Sequence, residues 1–228
     1  MKPWALEFVL AVVKVIRGNG ACLEAGLASL VTVEARFVAE GRGGTRIILT
    51  GLPDNVLRET RARLPAALAQ GGVSLPAGEL FINLAPATRP KAGGLLDLAL
   101  ALTVAGSLGL VSASELEQTL CLGELDLGGG VRACSGGLYA ARAALAQGLT
   151  QVIAPMETAR RCAWIAGLKV IGVASLGEAI DHLADVRRIQ PLPRAYPAAP
   201  KIPPEGSLDE VRGQGAAKQS LALSAAGG

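Results

Sequence analysis

QVIAPMETARRCAWIAGLKVIGVASLGEAIDHL, residues 151–183, decides the fold. Gln151–Ala154 and Lys169–Val173 are short apolar runs carrying the β-branched residues Val152, Ile153, Val170, Ile171 and Val173. Glu157–Ile165 and Leu176–Leu183 between and after them have helical patterning. Two strand–helix alternations in 33 consecutive residues predict a layered α/β domain, because each helix has to bury its apolar stripe against a sheet.

The same pattern extends upstream. Leu30–Val38 (LVTVEARFV) alternates apolar and polar positions and reads as a half-buried strand, and Arg46–Thr50 (RIILT) as a second. Gly51-Leu52-Pro53-Asp54 closes that strand, and Asp54 is placed to cap a helix over Asn55–Gln70. Val56, Leu57, Leu64 and Leu68 form its inward stripe, with Arg58, Arg61 and Arg63 on the remainder; Pro65 is a point of strain. Leu80–Ala85 is a further strand. A loop over Pro86–Gly94 then leads into an apolar helix at Leu95–Leu108, whose one charge, Asp97, needs a polar edge or a partner. Thr119–Leu125 and Val131–Cys134 read as a strand pair joined through Gly128-Gly129-Gly130, and Leu138–Gln147 as a helix capped by Gly148.

Composition narrows the function. Half of the 228 residues are hydrophobic, 18% are charged and only 3% are aromatic, so Ala, Leu and Val must fill a sizeable core. A net charge of +3, spread along the chain, is too mild to mark a nucleic-acid binder by itself. Cys22, Cys121, Cys134 and Cys162 have neither disulfide-framework nor zinc-ligand spacing and are expected as free thiols in a reducing cytoplasm; no metal ligand set is expected. His182, the one histidine, is expected at the surface of its amphipathic stretch. Glu7, Lys14 and Arg17 interrupt the apolar N-terminus, and no run approaches the ~20 residues a bilayer requires. After Val186, residues 187–206 carry six of the 13 prolines and are expected as a stiff linker. Residues 207–228 resume a helical pattern over Ala216–Ala226. One short helix cannot bury its apolar face alone, so the chain is expected to stop inside a second domain.

Seven segments, in order, resemble the ComM/YifB family of magnesium-chelatase-like AAA+ ATPases. They are GLPD (51–54) with RETRARL behind it, INLAP (82–86), the K-x-G-x-x-x-D-L-x-x-AL run from Lys91 to Leu102, and GELDLGGGVR (123–132) leading to GGL at 136–138. VIAP (152–155), KVIGVASLGEAI (169–180) and DEVRGQGAAKQSLALSAAGG (209–228) complete the set. The resemblance implies a Lon-protease-like domain, also similar to the second domain of a ribosomal small-subunit protein, over residues 1–186. It implies the start of an AAA+ module over 207–228, ending before the phosphate-binding loop. No G-x-x-x-x-G-K-[ST] loop occurs in these residues; GRGGTR (41–46) lacks the Lys-Ser/Thr ending. The family's V-x-G-Q element, here Val211, Gly213 and Gln214 around Arg212, implies an incomplete nucleotide contact. ATP and Mg would belong to a longer parent, and this chain is expected to hold no cofactor.

Two alternatives follow from the same resemblance. A Lon-type peptidase requires a Ser nucleophile and a Lys base. The matching positions are Gly93 and Tyr139, neither of which does that chemistry, so no catalytic residue is expected. A metal-chelatase subunit rests on the family's name alone. The favoured expectation is a non-catalytic accessory domain whose partners are the AAA+ region, neighbouring subunits of a hexamer, and possible DNA at Arg58, Arg61, Arg63, Arg89 and Lys91, where phosphate contacts need positive charge. The loop Ala87-Thr88-Arg89-Pro90-Lys91-Ala92-Gly93 departs from the family by lacking its acids, and no aromatic residues interleave with these charges to stack on bases.

Overall fold

A computed structural model describes residues 14–24, 27–41, 43–51, 54–86, 94–194 and 206–227. They fall into two units, Met1–Ala195 and Tyr196–Gly228.

The first unit is built on a seven-stranded sheet. Its elements run β1 (Ile16–Glu24), β2 (Leu27–Ala39), β3 (Thr45–Thr50), α1 (Asp54–Gln70), β4 (Gly78–Ala85), a 3₁₀ turn (Gly94–Leu96), α2 (Asp97–Ser107), α3 (Ala113–Glu117), β5 (Thr119–Cys121), β6 (Glu124–Leu125), β7 (Val131–Arg132), α4 (Gly137–Ala146), β8 (Gln151–Pro155), α5 (Met156–Cys162), β9 (Lys169–Val173) and α6 (Leu176–Leu183). The sheet order is β3-β4-β2-β1-β5-β8-β9, with β6 and β7 forming a separate hairpin. β1 and β2 pair antiparallel, as do β2 and β4, while the remaining neighbours are parallel. The layered α/β expectation is met, with a mostly parallel sheet between helices.

Strand alternation separates two cores. Val31, Val33 and Ala35 of β2, with Leu80, Ile82 and Leu84 of β4, face the cluster that contains Leu64 and Leu68 of α1, all of α2's leucines and Leu176 of α6. Ala21, Leu120, Val152 and Val170 face the smaller cluster around Ala140, Ala141 and Ala144 of α4 and Ala159 of α5. From Asp97 to Gly106 every residue of α2 is buried, as expected of a helix apolar on all sides. Complete burial of one of its leucines contributes about 1.5–3 kcal/mol.

The structure adds two elements and redraws a third. β1 is one addition, covering IRGNGACLE, where glycine and asparagine argue against a strand. A methyl group on Gly18 would collide with Thr103 Oγ1, and one on Gly20 would lie 2.6 Å from Leu96 Cδ2, so α2 lies on β1 at a separation only glycine permits. The other addition is α3, a five-residue helix capped by Ser112, whose hydroxyl accepts from Glu115 N–H. The stretch expected as one strand over 119–125 is two: β5 joins the main sheet, and after Gly123 (φ 149°) β6 turns away to pair with β7.

His182 is buried at 3% exposure, not at the surface as expected from its amphipathic helix. The chain after α6 folds back over it: Ile189 N–H donates to His182 Nδ1, and Leu192 N–H donates to the Val170 carbonyl on β9. The first residues of the Pro-rich stretch thus pack into this unit. Cys121, Cys134 and Cys162 are free thiols. No described helix is long and apolar enough to cross a membrane.

In the second unit a 3₁₀ turn at Leu208–Glu210 precedes α7 (Gly215–Ala225), and no residue of α7 is buried.

Candidate functional site

Three of the sequence segments singled out above meet at the N-terminal end of α2. Asp97, the first residue of that helix, is 7% exposed, and its Oδ2 lies 2.8 Å from Arg63 Nη2 of α1. The same oxygen accepts from Leu125 N–H of β6 at 3.2 Å. Arg63 Nη1 lies 3.7 Å from Glu124 Oε1, also on β6. Backbone bonds close the arrangement: Leu98 N–H donates to the Gly123 carbonyl and Gly123 N–H to the Leu95 carbonyl. One arginine and one carboxylate therefore strap α1, the start of α2 and β6 together.

The electrostatics follow from burial. Asp97 sits in the first turn of α2, where unpaired amide N–H groups favour a negative charge. Desolvation nonetheless pushes its carboxyl up to about 6, against the opposing pull of the Arg63 guanidinium and the Leu125 N–H. The void beside the ion pair is about 10 Å³, lined by Thr60, Arg63, Leu64, Ala67, Asp97 and Leu125, which is room for about one water at most. Thr60 is the one hydroxyl in that lining, and no Lys, His or Cys among the lining residues activates it. The arrangement holds elements in place.

The remaining expected site residues are scattered. Arg58 and Arg61 lie on α1, ahead of Arg63, whose guanidinium is committed to Asp97 and Glu124. Arg89, Lys91 and Gly93 lie outside the described residues. Tyr139 is on the first turn of α4, 58% exposed. Val211, Gly213 and Gln214 belong to the second unit, where Gly213 (φ 71°) and Gln214 (φ 57°) take left-handed conformations immediately before α7. Sequence reasoning missed Glu124 as the second carboxylate on Arg63. The available signal was Asp97 itself, a single charge in an apolar helix that had to find a partner.

A second concavity lies on the sheet. On the face of β3, β4 and β2 opposite α1 and α2, a groove of about 520 Å³ among the described residues runs over Ile48, Phe81, Val38 and Arg36. Across it runs a polar ladder: Arg17 Nε donates to Glu34 Oε1, Asn83 Nδ2 to Glu34 Oε2, and Thr50 Oγ1 to Asn83 Oδ1. The Asn83 amide and Arg17 hold the Glu34 carboxyl below its ordinary value.

Residues 33–158, more than half of the chain, match the family described as subunit ChlI of Mg-chelatase. The chain belongs to this family. The matched stretch contains all three members of the strap, Arg63, Asp97 and Glu124. An uncharacterized protein of Mycobacterium tuberculosis is 35% identical over 199 residues, 87% of this chain and 38% of that protein. Protein YifB of Escherichia coli is 29% identical over 198 residues, again 87% of this chain and 38% of its own length. Competence protein ComM of Haemophilus influenzae is 28% identical over 210 residues, 88% of this chain and 39% of its own. The chain thus spans about two-fifths of the length of these ComM/YifB-type relatives.

Proposed function

We propose that residues 1–186 serve as a non-catalytic accessory domain of a Mg-chelatase-like AAA+ ATPase in the cytoplasm. In this reading, ATP and Mg are bound by an ATPase region of the longer protein. The domain packs against that region and against neighbouring subunits of a ring. The competence name carried by the Haemophilus relative supports a parent that works on DNA, as a hexameric branch-migration helicase of natural transformation does.

The carrying observation is the strap. Family-matching segments from α1, α2 and β6 converge on a closed ion pair with a void of about 10 Å³, an arrangement suited to fixing a scaffold and too small for a substrate. Tyr139, at the position where a Lon-type lysine would fall, supports the same reading. Val211, Gly213 and Gln214 are the candidates for an adenine-side contact, and Arg58, Arg61, Arg89 and Lys91 for phosphate contacts to DNA.

The test compares the full-length protein with a version lacking residues 1–186, in ring assembly by sedimentation and in unwinding of forked DNA. Loss of assembly or unwinding is the expected outcome. Unchanged assembly and unwinding would leave the domain without a role in the motor.

A further inference from the structure

His182 occupies the last turn of α6 and is nine-tenths or more enclosed. Its Nδ1 accepts from the Ile189 backbone N–H at 3.0 Å, which places the ring proton on Nε2. That Nε2 is buried without a hydrogen-bond partner among the described residues. The chain wraps around the ring in a defined path. Asp185 takes a left-handed conformation (φ 61°), and the Val186 and Arg187 N–H groups both donate to the Asp181 carbonyl, at 2.9 and 3.1 Å. The Arg188 guanidinium then donates to Glu115 on α3 and to Asp185. Leu192 N–H ends the wrap on the Val170 carbonyl of edge strand β9, at 2.8 Å.

We propose that His182 is a proton-operated latch: the neutral ring holds residues 186–192 against the sheet by accepting from Ile189 N–H, and the protonated ring releases them. An imidazolium has two N–H donors and no acceptor. Taking a proton from solvent at Nδ1 sets N–H against N–H at Ile189 and leaves a charge in a site already short of one partner. No covalent bond changes.

The surrounding charges favour release over accommodation. The Arg188 charge opposes protonation, after burial itself. Glu115 from α3 and Asp185 from the following turn pull the other way, but both are engaged by Arg188. On α6 itself, Glu178 is bound to Ala174 N–H and Asp181 is the other acid. α2 brings one charge, Asp97, at its distant N-terminal end; Gly71, just after α1, meets α6 at Leu176 and Gly177; and β9 contributes Lys169, which is exposed. The closed form therefore titrates below the open form, whose ring has an ordinary value near ~6.5. Opening becomes more favourable as pH falls below about 6.5, by up to about tenfold per pH unit, until the closed form also takes the proton.

Amide hydrogen exchange on the full chain tests this, with rates corrected for intrinsic pH dependence between about pH 7.5 and 5. Protection of Ile189 and Leu192 is expected to fall by up to about tenfold per unit below pH 6.5, while Leu100 in the core keeps its protection. In His182→Asn, whose Oδ1 accepts from Ile189 without titrating, that slope should vanish. The imidazole resonances of the unmodified chain give an independent reading that survives a failure of the variant to fold. Titration clearly below ~6.5 supports the latch. Flat protection in the unmodified chain, an unchanged slope in the variant, or an imidazole titrating at or above the ordinary value overturns it.

Discussion

Asp97 and His182 are two buried ionisable side chains, one at the start of α2 and the other on α6 beside it, and they are held in opposite ways. Asp97 has a guanidinium and a backbone N–H on one oxygen, so its charged form is supported from two directions. His182 has one bond on Nδ1 and, among the described residues, none on Nε2. Burial pushes both toward neutrality, raising the acid to about 6 and lowering the base. A polar group satisfied from several elements makes a rigid junction. One satisfied from a single flanking segment makes a junction that a proton can open.

The comparison breaks most visibly at Arg63. Arg63→Ala leaves Asp97 enclosed without its cation, and stability in urea unfolding is expected to fall by roughly 2–3 kcal/mol at pH 7. That is below the full range for a buried pair, because the Arg63 side chain retains 30% of its exposure. Asp97→Asn keeps an acceptor for Leu125 N–H and should cost about 1–2 kcal/mol. It also changes the pH profile in a fixed direction. A carboxyl near 6 in the folded chain and 3.8 as its ordinary value binds more proton when folded, so its contribution to stability declines as pH rises from about 4 to about 6. The stability difference between the unmodified chain and Asp97→Asn should therefore shift against the unmodified chain across that window and flatten above it. Unfolding curves at pH 4, 5 and 7 measure this. Glu124→Gln should cost less than about 0.5 kcal/mol, since that carboxylate is 43% exposed and 3.7 Å from Arg63. A larger loss would make Glu124 an equal partner in the strap.

Much of this architecture was legible in the residues. β8, α5, β9 and α6 follow from the alternation of apolar runs and helical patterning over residues 151–183, and α2 from an apolar run around one charge, Asp97. β1 was not, because Gly18 and Gly20 are weak strand formers chosen for the close approach of α2, a tertiary constraint invisible in a local pattern. His182 was misread for a related reason. Its helix is amphipathic, but the covering surface comes from Ile189 and Leu192, in a stretch whose prolines suggested a stiff linker. Asp97 announced that it needed a partner. That the partner is Arg63, 34 positions earlier, and that β6 supplies the second bond, depends on how α1 and the hairpin dock, which spacing does not encode.

The proposed accessory role makes the convergence of Arg63, Asp97 and Glu124 a junction that positions polypeptide rather than transforming a substrate. The most direct measurement incubates the purified chain with ATP and with unfolded casein and follows phosphate release and peptide cleavage. The account expects neither above background. Turnover of either substrate that disappears on changing one residue, whether Thr60→Val or a single serine to alanine, would contradict it.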